Sequence, residues 1–176
     1  MTKKTKGFTL LETLVSLGAL GIVLTVTISA FLTVMTKSAK VRVVKAVESD
    51  GKYALRVMEQ MVKGAISILP NSVGQTCVSG MDYLKIENLD GGITEFACLN
   101  EGTVDGFIAS SSGSIDKRLT SPGVKLDVCS FDCQSGRFDQ PDRVTISFGL
   151  SQRQATARVE EQADLNFETS VTLRNY

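Results

Sequence analysis

The chain has 176 residues, room for one domain with a sizeable core plus one long additional element. It is 43% hydrophobic and 22% charged, with 19 basic and 19 acidic side chains, so no global positive field would draw it to nucleic acid. It contains no histidine and no tryptophan, and the missing histidine removes the commonest general acid–base and transition-metal ligand, lowering the expectation of an enzyme.

The chain opens with three lysines, Lys3, Lys4 and Lys6, before Gly7-Phe8-Thr9-Leu10-Leu11-Glu12. Between Glu12 and Lys37 lie 24 residues without a formal charge, enough to span a bilayer. A basic flank before an apolar run places the amino terminus in the cytoplasm and everything after about Lys37 on the far side of the membrane. A secretory signal peptide, with its apolar core of about 7–15 residues, fits poorly, although the small residues Ser29-Ala30 occur further on.

Gly7-Phe8-Thr9-Leu10-Leu11-Glu12 resembles the prepilin cleavage and methylation motif of type IV pilins and type II secretion pseudopilins. The resemblance implies cleavage between Gly7 and Phe8 by a prepilin peptidase, N-methylation of Phe8, and an assembly role for Glu12. In that family the corresponding carboxylate pairs with the amino terminus of a neighbouring subunit. A carboxylate in lipid is costly, so a matched partner would set register. The competing reading has Glu12 reaching the headgroups from the helix end. Gly21 also falls where family members often carry glycine, whereas Ser29 stands where many major pilins have proline, a departure that points to a minor subunit. Loss of the three leader lysines leaves 16 basic against 19 acidic side chains.

Beyond the apolar run, Val41, Val44, Val47, Ala54, Leu55, Met58, Met61, Val62, Ala65, Ile68 and Leu69 recur at helical spacing, with Lys45, Lys52, Glu59 and Lys63 mostly between them. The spacing predicts a helix from Phe8 to Leu69, stopped by Pro70-Asn71 and about 93 Å long if unbroken. Gly18, Gly21, Gly51 and Gly64 are weak points in it. After Pro70 the period changes to two. Asp82–Asn88 and Ile93–Leu99 flank Leu89-Asp90-Gly91-Gly92 as a hairpin, and Val104–Ala109 forms a short strand before a Ser110–Ser114 loop. Leu126 and Val128 suggest another strand, Arg143–Leu150 alternates clearly, and Phe167–Leu173 forms a last alternating segment. The expected class is α+β: a long N-terminal helix, membrane-spanning in its first half, packed on an antiparallel sheet head. The expected divisions are a leader at 1–7, a membrane and filament-core helix at 8–36, an amphipathic helix at 37–70 and an extracytoplasmic head at 71–176.

Cys77, Cys98, Cys129 and Cys133 all follow the membrane segment, an even number in an oxidising compartment, and two disulfides are expected. Sequence leaves three connectivities open; Cys77–Cys98 with Cys129–Cys133 is the preferred one, ahead of a metal site without paired CxxC spacing. Asp127, Asp132, Asp139 and Asp142 surround the last two cysteines. Some pseudopilins bind calcium, but without EF-hand spacing a solvated loop is expected, as it is for Glu160, Glu161 and Asp164. No catalytic residue, metal or cofactor is expected.

The preferred function is a structural subunit, a minor pilin or pseudopilin, with Arg143–Leu150 and Phe167–Asn175 resembling J-type pseudopilins diffusely. The expected partners are prepilin peptidase, other pilin subunits, the inner-membrane assembly platform, and membrane lipid before assembly. The expected location is the cytoplasmic membrane, followed by a cell-surface or periplasmic filament. The alternative is a tip-binding module, an adhesin or DNA-uptake pilin. Its candidate cations, Lys117, Arg118, Arg137, Arg143, Arg153 and Arg158, are dispersed and lack aromatic interleaving, so nucleic acid is not expected as a partner.

Overall fold

The computed structural model of the chain describes residues 7, 9–70, 74–113, 115–136, 140–153 and 162–174. It divides into two units, Met1–Ala39 and Lys40–Tyr176, with one α-helix, α1 (Leu10–Lys63), belonging to both by sequence.

In the first unit every described side chain is exposed, including Leu11, Leu14, Leu20, Ile28 and Phe31. Mean hydropathy over an 18-residue window reaches 2.2, and α1 is the one helix among the described residues long and apolar enough to cross a membrane. The hydroxyls in this stretch are satisfied within the helix. Thr13, Thr25, Ser29 and Thr33 donate to the carbonyls of Leu10, Ile22, Val26 and Ser29 at 2.8–2.9 Å. Eight such bonds let a polar side chain sit in an apolar surface without a water partner.

In the second unit α1 becomes one-sided. Val47, Gly51, Ala54, Met58 and Val62 are buried at spacings of three and four, whereas Lys52, Tyr53, Arg56 and Gln60 are exposed. On the outer side Lys52 donates to Glu48 one turn back, and that bond, with the lysine charge, holds the Glu48 carboxyl below its ordinary range.

The helix ends at Lys63, six residues before the expected end at Leu69. Ala65 and Ile68, read as helical, belong to the chain that leaves the helix. Strand β1 (Ser67–Ile68) pairs with β2 (Tyr83–Glu87), and Ile66 and Leu69 donate to the carbonyls of Glu87 and Lys85 at 2.8 and 2.9 Å. Apolar residues at Ala65 and Ile68 suit either geometry because both are buried; the ladder partners decide.

The head carries two antiparallel sheets rather than the single sheet expected. The first has the order β1-β2-β3-β4-β5, with β3 (Ile93–Leu99), β4 (Phe107–Ser112) and β5 (Ile115–Arg118). The hairpin between β2 and β3 turns on Gly91, whose φ of 75° favours glycine, with Asn88 donating to Gly92 at 2.8 Å. Ser110, Ser111 and Ser112 were expected in a loop, but they form the end of β4, pairing with Phe96, Glu95 and Thr94 of β3. Strand β5 carries no apolar alternation and was not anticipated. Ser114 lies outside the described residues.

The second sheet has the order β6-β7-β8: β6 (Val124–Gln134), β7 (Arg143–Gln152) and β8 (Asp164–Thr172). Val144, Ile146, Phe148 and Leu150 of β7 are buried, as their alternation requires. Leu84, Ile86, Phe96, Ile108, Leu126 and Phe131 join them and the α1 stripe in one core. The Phe167 ring of β8 stacks on Phe148 with centroids 5.3 Å apart and lies against Gly51 of α1. A Cβ built at Gly51 would stand 2.1 Å from that ring, so the glycine that weakens the helix locally is the seat for an aromatic side chain.

Both disulfides are anchored on β6. Cys77 joins Cys133 and Cys98 joins Cys129, in place of the preferred Cys77–Cys98 and Cys129–Cys133. The reason is extension: Cys129 and Cys133 sit on one strand, four residues and about 13 Å apart, beyond disulfide reach. The segment before β2 runs beside β6, with Met81 and Phe131 exchanging hydrogen bonds at 3.0 and 2.8 Å, which brings Cys77 to Cys133. Cys98 on β3 meets Cys129 across the two sheets, 6.1 Å between Cα atoms.

Two outcomes test this packing. Gly51→Ala should lower the thermal midpoint of the full chain by several degrees, because overpacking of about 1–3 kcal/mol exceeds the helix-propensity gain of about 1 kcal/mol; a raised midpoint would place the Phe167 ring elsewhere. Non-reducing peptide mapping should recover Cys77 linked to Cys133 and Cys98 linked to Cys129. Removing either bridge, which closes 56 or 31 residues, should cost roughly 4 kcal/mol on loop-entropy grounds.

Candidate functional site

Gly7 is exposed, and a Cβ at that position would meet nothing within 4 Å. Phe8, the expected methylation position, lies outside the described residues, as do Lys3, Lys4 and Lys6 of the leader. Thr9 is the cap of α1: its side-chain oxygen accepts the Glu12 N–H at 3.3 Å and its carbonyl accepts from Glu12 and Thr13 at 3.0 and 3.2 Å. Thr9-Leu10-Leu11-Glu12 thus has the order of a capping box, a second signal carried by the same residues as the cleavage and methylation motif.

Glu12 is the acidic residue of the first turn, exposed at the positive end of the helix dipole. Leu10, Leu11, Leu14 and Val15 around it expose between 63% and 81% of their surface. A carboxylate among exposed apolar side chains is therefore the chemical character of this end.

The other candidates are dispersed. Asp132 accepts the Gly80 N–H at 2.7 Å, Asp142 accepts the Gly136 N–H at 2.9 Å, and Asp127 pairs with Lys125 at 2.7 Å. Each acid thus has a local partner, and no group of three ligands placed to hold a metal ion occurs among the described residues. Asp139, Glu160 and Glu161 lie outside them. Of the cations considered for nucleic acid, Arg118 stacks on Phe107 at 4.4 Å and donates to the Thr120 carbonyl, and Arg153 is paired with Asp105. Lys117 is on β5 and Arg143 on β7, while Arg137 and Arg158 lie outside the described residues. An open groove of about 530 Å³ crosses the outer face of the first sheet over Ala97, Ala109, Leu99 and Phe107.

The family model described as the prokaryotic N-terminal methylation motif matches residues 2–28. Neither the curated proteins nor the solved structures searched include a significant match. The matched motif implies processing by a prepilin peptidase and assembly with other pilins, and together with the apolar helix it fits an inner-membrane-anchored precursor. With this motif at its start and one long N-terminal helix followed by antiparallel sheets, the chain resembles the precursors of type IV pilins and pseudopilins.

Proposed function

We infer that this chain is a structural subunit, a minor pilin or pseudopilin of a type IV pilus-like or type II secretion filament, and not an enzyme. The observation that carries the reading is the first half of α1: a wholly exposed apolar surface with a single carboxylate in its first turn. Lipid covers such a surface in the precursor, and the helices of neighbouring subunits cover it in the filament. Its amino terminus faces the cytoplasm and its head lies outside, so the cysteines reach an oxidising compartment where bridges persist. Cleavage after Gly7 exposes the Phe8 amine, and the assembly platform delivers each subunit so that its Glu12 meets such an amine on a neighbour. The tip-binding alternative has weaker support, because Arg118 and Arg153 are engaged within the head.

Two variants separate the assembly role of Glu12 from its place in the helix cap. Removing one partner of a buried charge pair costs about 3–5 kcal/mol. Glu12→Ala should therefore insert into membranes normally while its incorporation into sheared filaments falls by about a hundredfold or more. Thr9→Ala removes only a cap of about 1 kcal/mol and should incorporate near normally. Equal loss in both variants would assign Glu12 to capping alone.

Gly7→Ala should leave precursor accumulating on a gel, and mass spectrometry of the unaltered mature product should find a methylated Phe8 at its start. A different first residue would overturn the processing scheme.

A further inference from the structure

Charge is divided unevenly along α1. Between Glu12 and Glu48 the helix carries no acidic side chain, and all its cations there, Lys37, Lys40, Arg42 and Lys45, fall within nine residues. From Glu48 to Lys63 the signs are mixed, with Glu48, Asp50 and Glu59 against Lys52, Arg56 and Lys63. The all-positive stretch begins where the charge-free run ends. Three of its cations open the second unit. Lys40, Arg42 and Lys45 are exposed, and none of their side chains makes a hydrogen bond or ion pair among the described residues. The first acids after them are engaged: Glu48 accepts from Lys52, and Asp50 accepts from the Ser121 hydroxyl. Lys45 acts on Glu48 through charge alone, as the smallest influence on that carboxyl.

Position around the helix separates a lipid partner from a protein one. At about 100° per residue, Lys40 and Arg42 stand about 160° apart, Arg42 and Lys45 about 60°, and Lys45 and Lys40 about 140°. The three therefore encircle the helix. Lys40, seven residues before Val47, is in line with the buried stripe, whereas Arg42 and Lys45 are on its outer side. A protein surface approaches a helix from one side and calls for cations on one face. A bilayer surface surrounds the helix, and cations on every side suit it. The reach fits as well. Arg42 follows Met35, the last large apolar residue of the charge-free run, by about 10 Å of helix, and lysine and arginine stems extend along apolar surface to place their charge at an interface.

We propose that Lys40, Arg42 and Lys45 form a collar that binds the anionic phosphate headgroups of the leaflet bordering the apolar half of α1. Cations beside an anionic lipid surface strengthen attachment one by one, and their effect falls away within a Debye length, about 10 Å at 0.1 M salt. In the precursor this charge holds the helix at one depth, and the hold ends when the helix leaves the bilayer. The proposal rests on the membrane-inserted precursor of the reading above and is independent of filament assembly.

Spin-labelled lipids test it, with the full chain in phosphatidylcholine bilayers at low salt. The leader lysines are replaced (Lys3→Gln, Lys4→Gln, Lys6→Gln), so that one flank alone can select charge. The chain should restrain spin-labelled phosphatidylglycerol about threefold or more over spin-labelled phosphatidylcholine, and salt of about 1 M should remove the preference. Adding Lys40→Gln, Arg42→Gln and Lys45→Gln should bring the two lipids to equality. The thermal midpoint should stay within a few degrees, because glutamine matches lysine and arginine in helix propensity. The control triple Lys52→Gln, Arg56→Gln and Lys63→Gln removes the same charge further along α1 and should keep the preference. Equal restraint of both lipids by the inserted chain would overturn the proposal while leaving the membrane reading intact, as would equal loss in both triples. If the collar variant then failed to enter filaments, the cations would belong to contact with a neighbouring subunit. A chain that does not enter the bilayer would overturn both.

Discussion

The buried stripe of α1 from Val47 to Val62 is the surface on which the head is built. Two sheets share the core with this one helical face, and neither could bury its inner side chains without it. The geometry demands small residues where sheet side chains approach most closely, which is why Gly51 and Ala54 sit in the middle of the stripe and Phe167 lies against Gly51. Helix propensity is given up at that position for aromatic packing, a trade in which tertiary contact outweighs the local term.

Strand β6 does for the two sheets what the helix stripe does for the core. It is paired with β7 along its length, hydrogen-bonded to chain segments around Gly106 and Met81 on its other side, and bridged by both disulfides. A bulge between Leu126 and Val128 lets it change direction between these duties. The covalent ties matter most where the backbone ladder is thinnest, between β3 and β6 and between the Cys77 segment and β6. Such ties persist only outside the reducing cytoplasm, so the head's architecture agrees with a chain whose helix carries it across a membrane.

The two units manage exposure in opposite ways. The first leaves its large apolar side chains uncovered and satisfies its hydroxyls internally, which suits lipid or packed helices but not water. The second gathers large apolar side chains from the helix and both sheets into one buried core.

Much of this was legible in local pattern. The charge-free run, the Gly7–Glu12 motif, the β2–β3 hairpin and the alternation of β7 all follow from residues near one another in sequence, where side-chain period and turn chemistry act directly. The helix end was misplaced because Ala65 and Ile68 are buried in either conformation. The Ser110–Ser112 stretch was misassigned because its strand character comes from pairing with β3 rather than from composition. Strand β5 pairs with the adjacent β4 but carries no apolar alternation of its own, while the partners of the four cysteines and the purpose of Gly51 depend on residues 31 to more than 100 positions away. The sequence by itself determined the membrane helix, its carboxylate and the α+β class, since these are properties of short windows. Tertiary structure alone decided the two-sheet division and the disulfide pairing, because each depends on which distant backbones are brought side by side, and no local window carries that information.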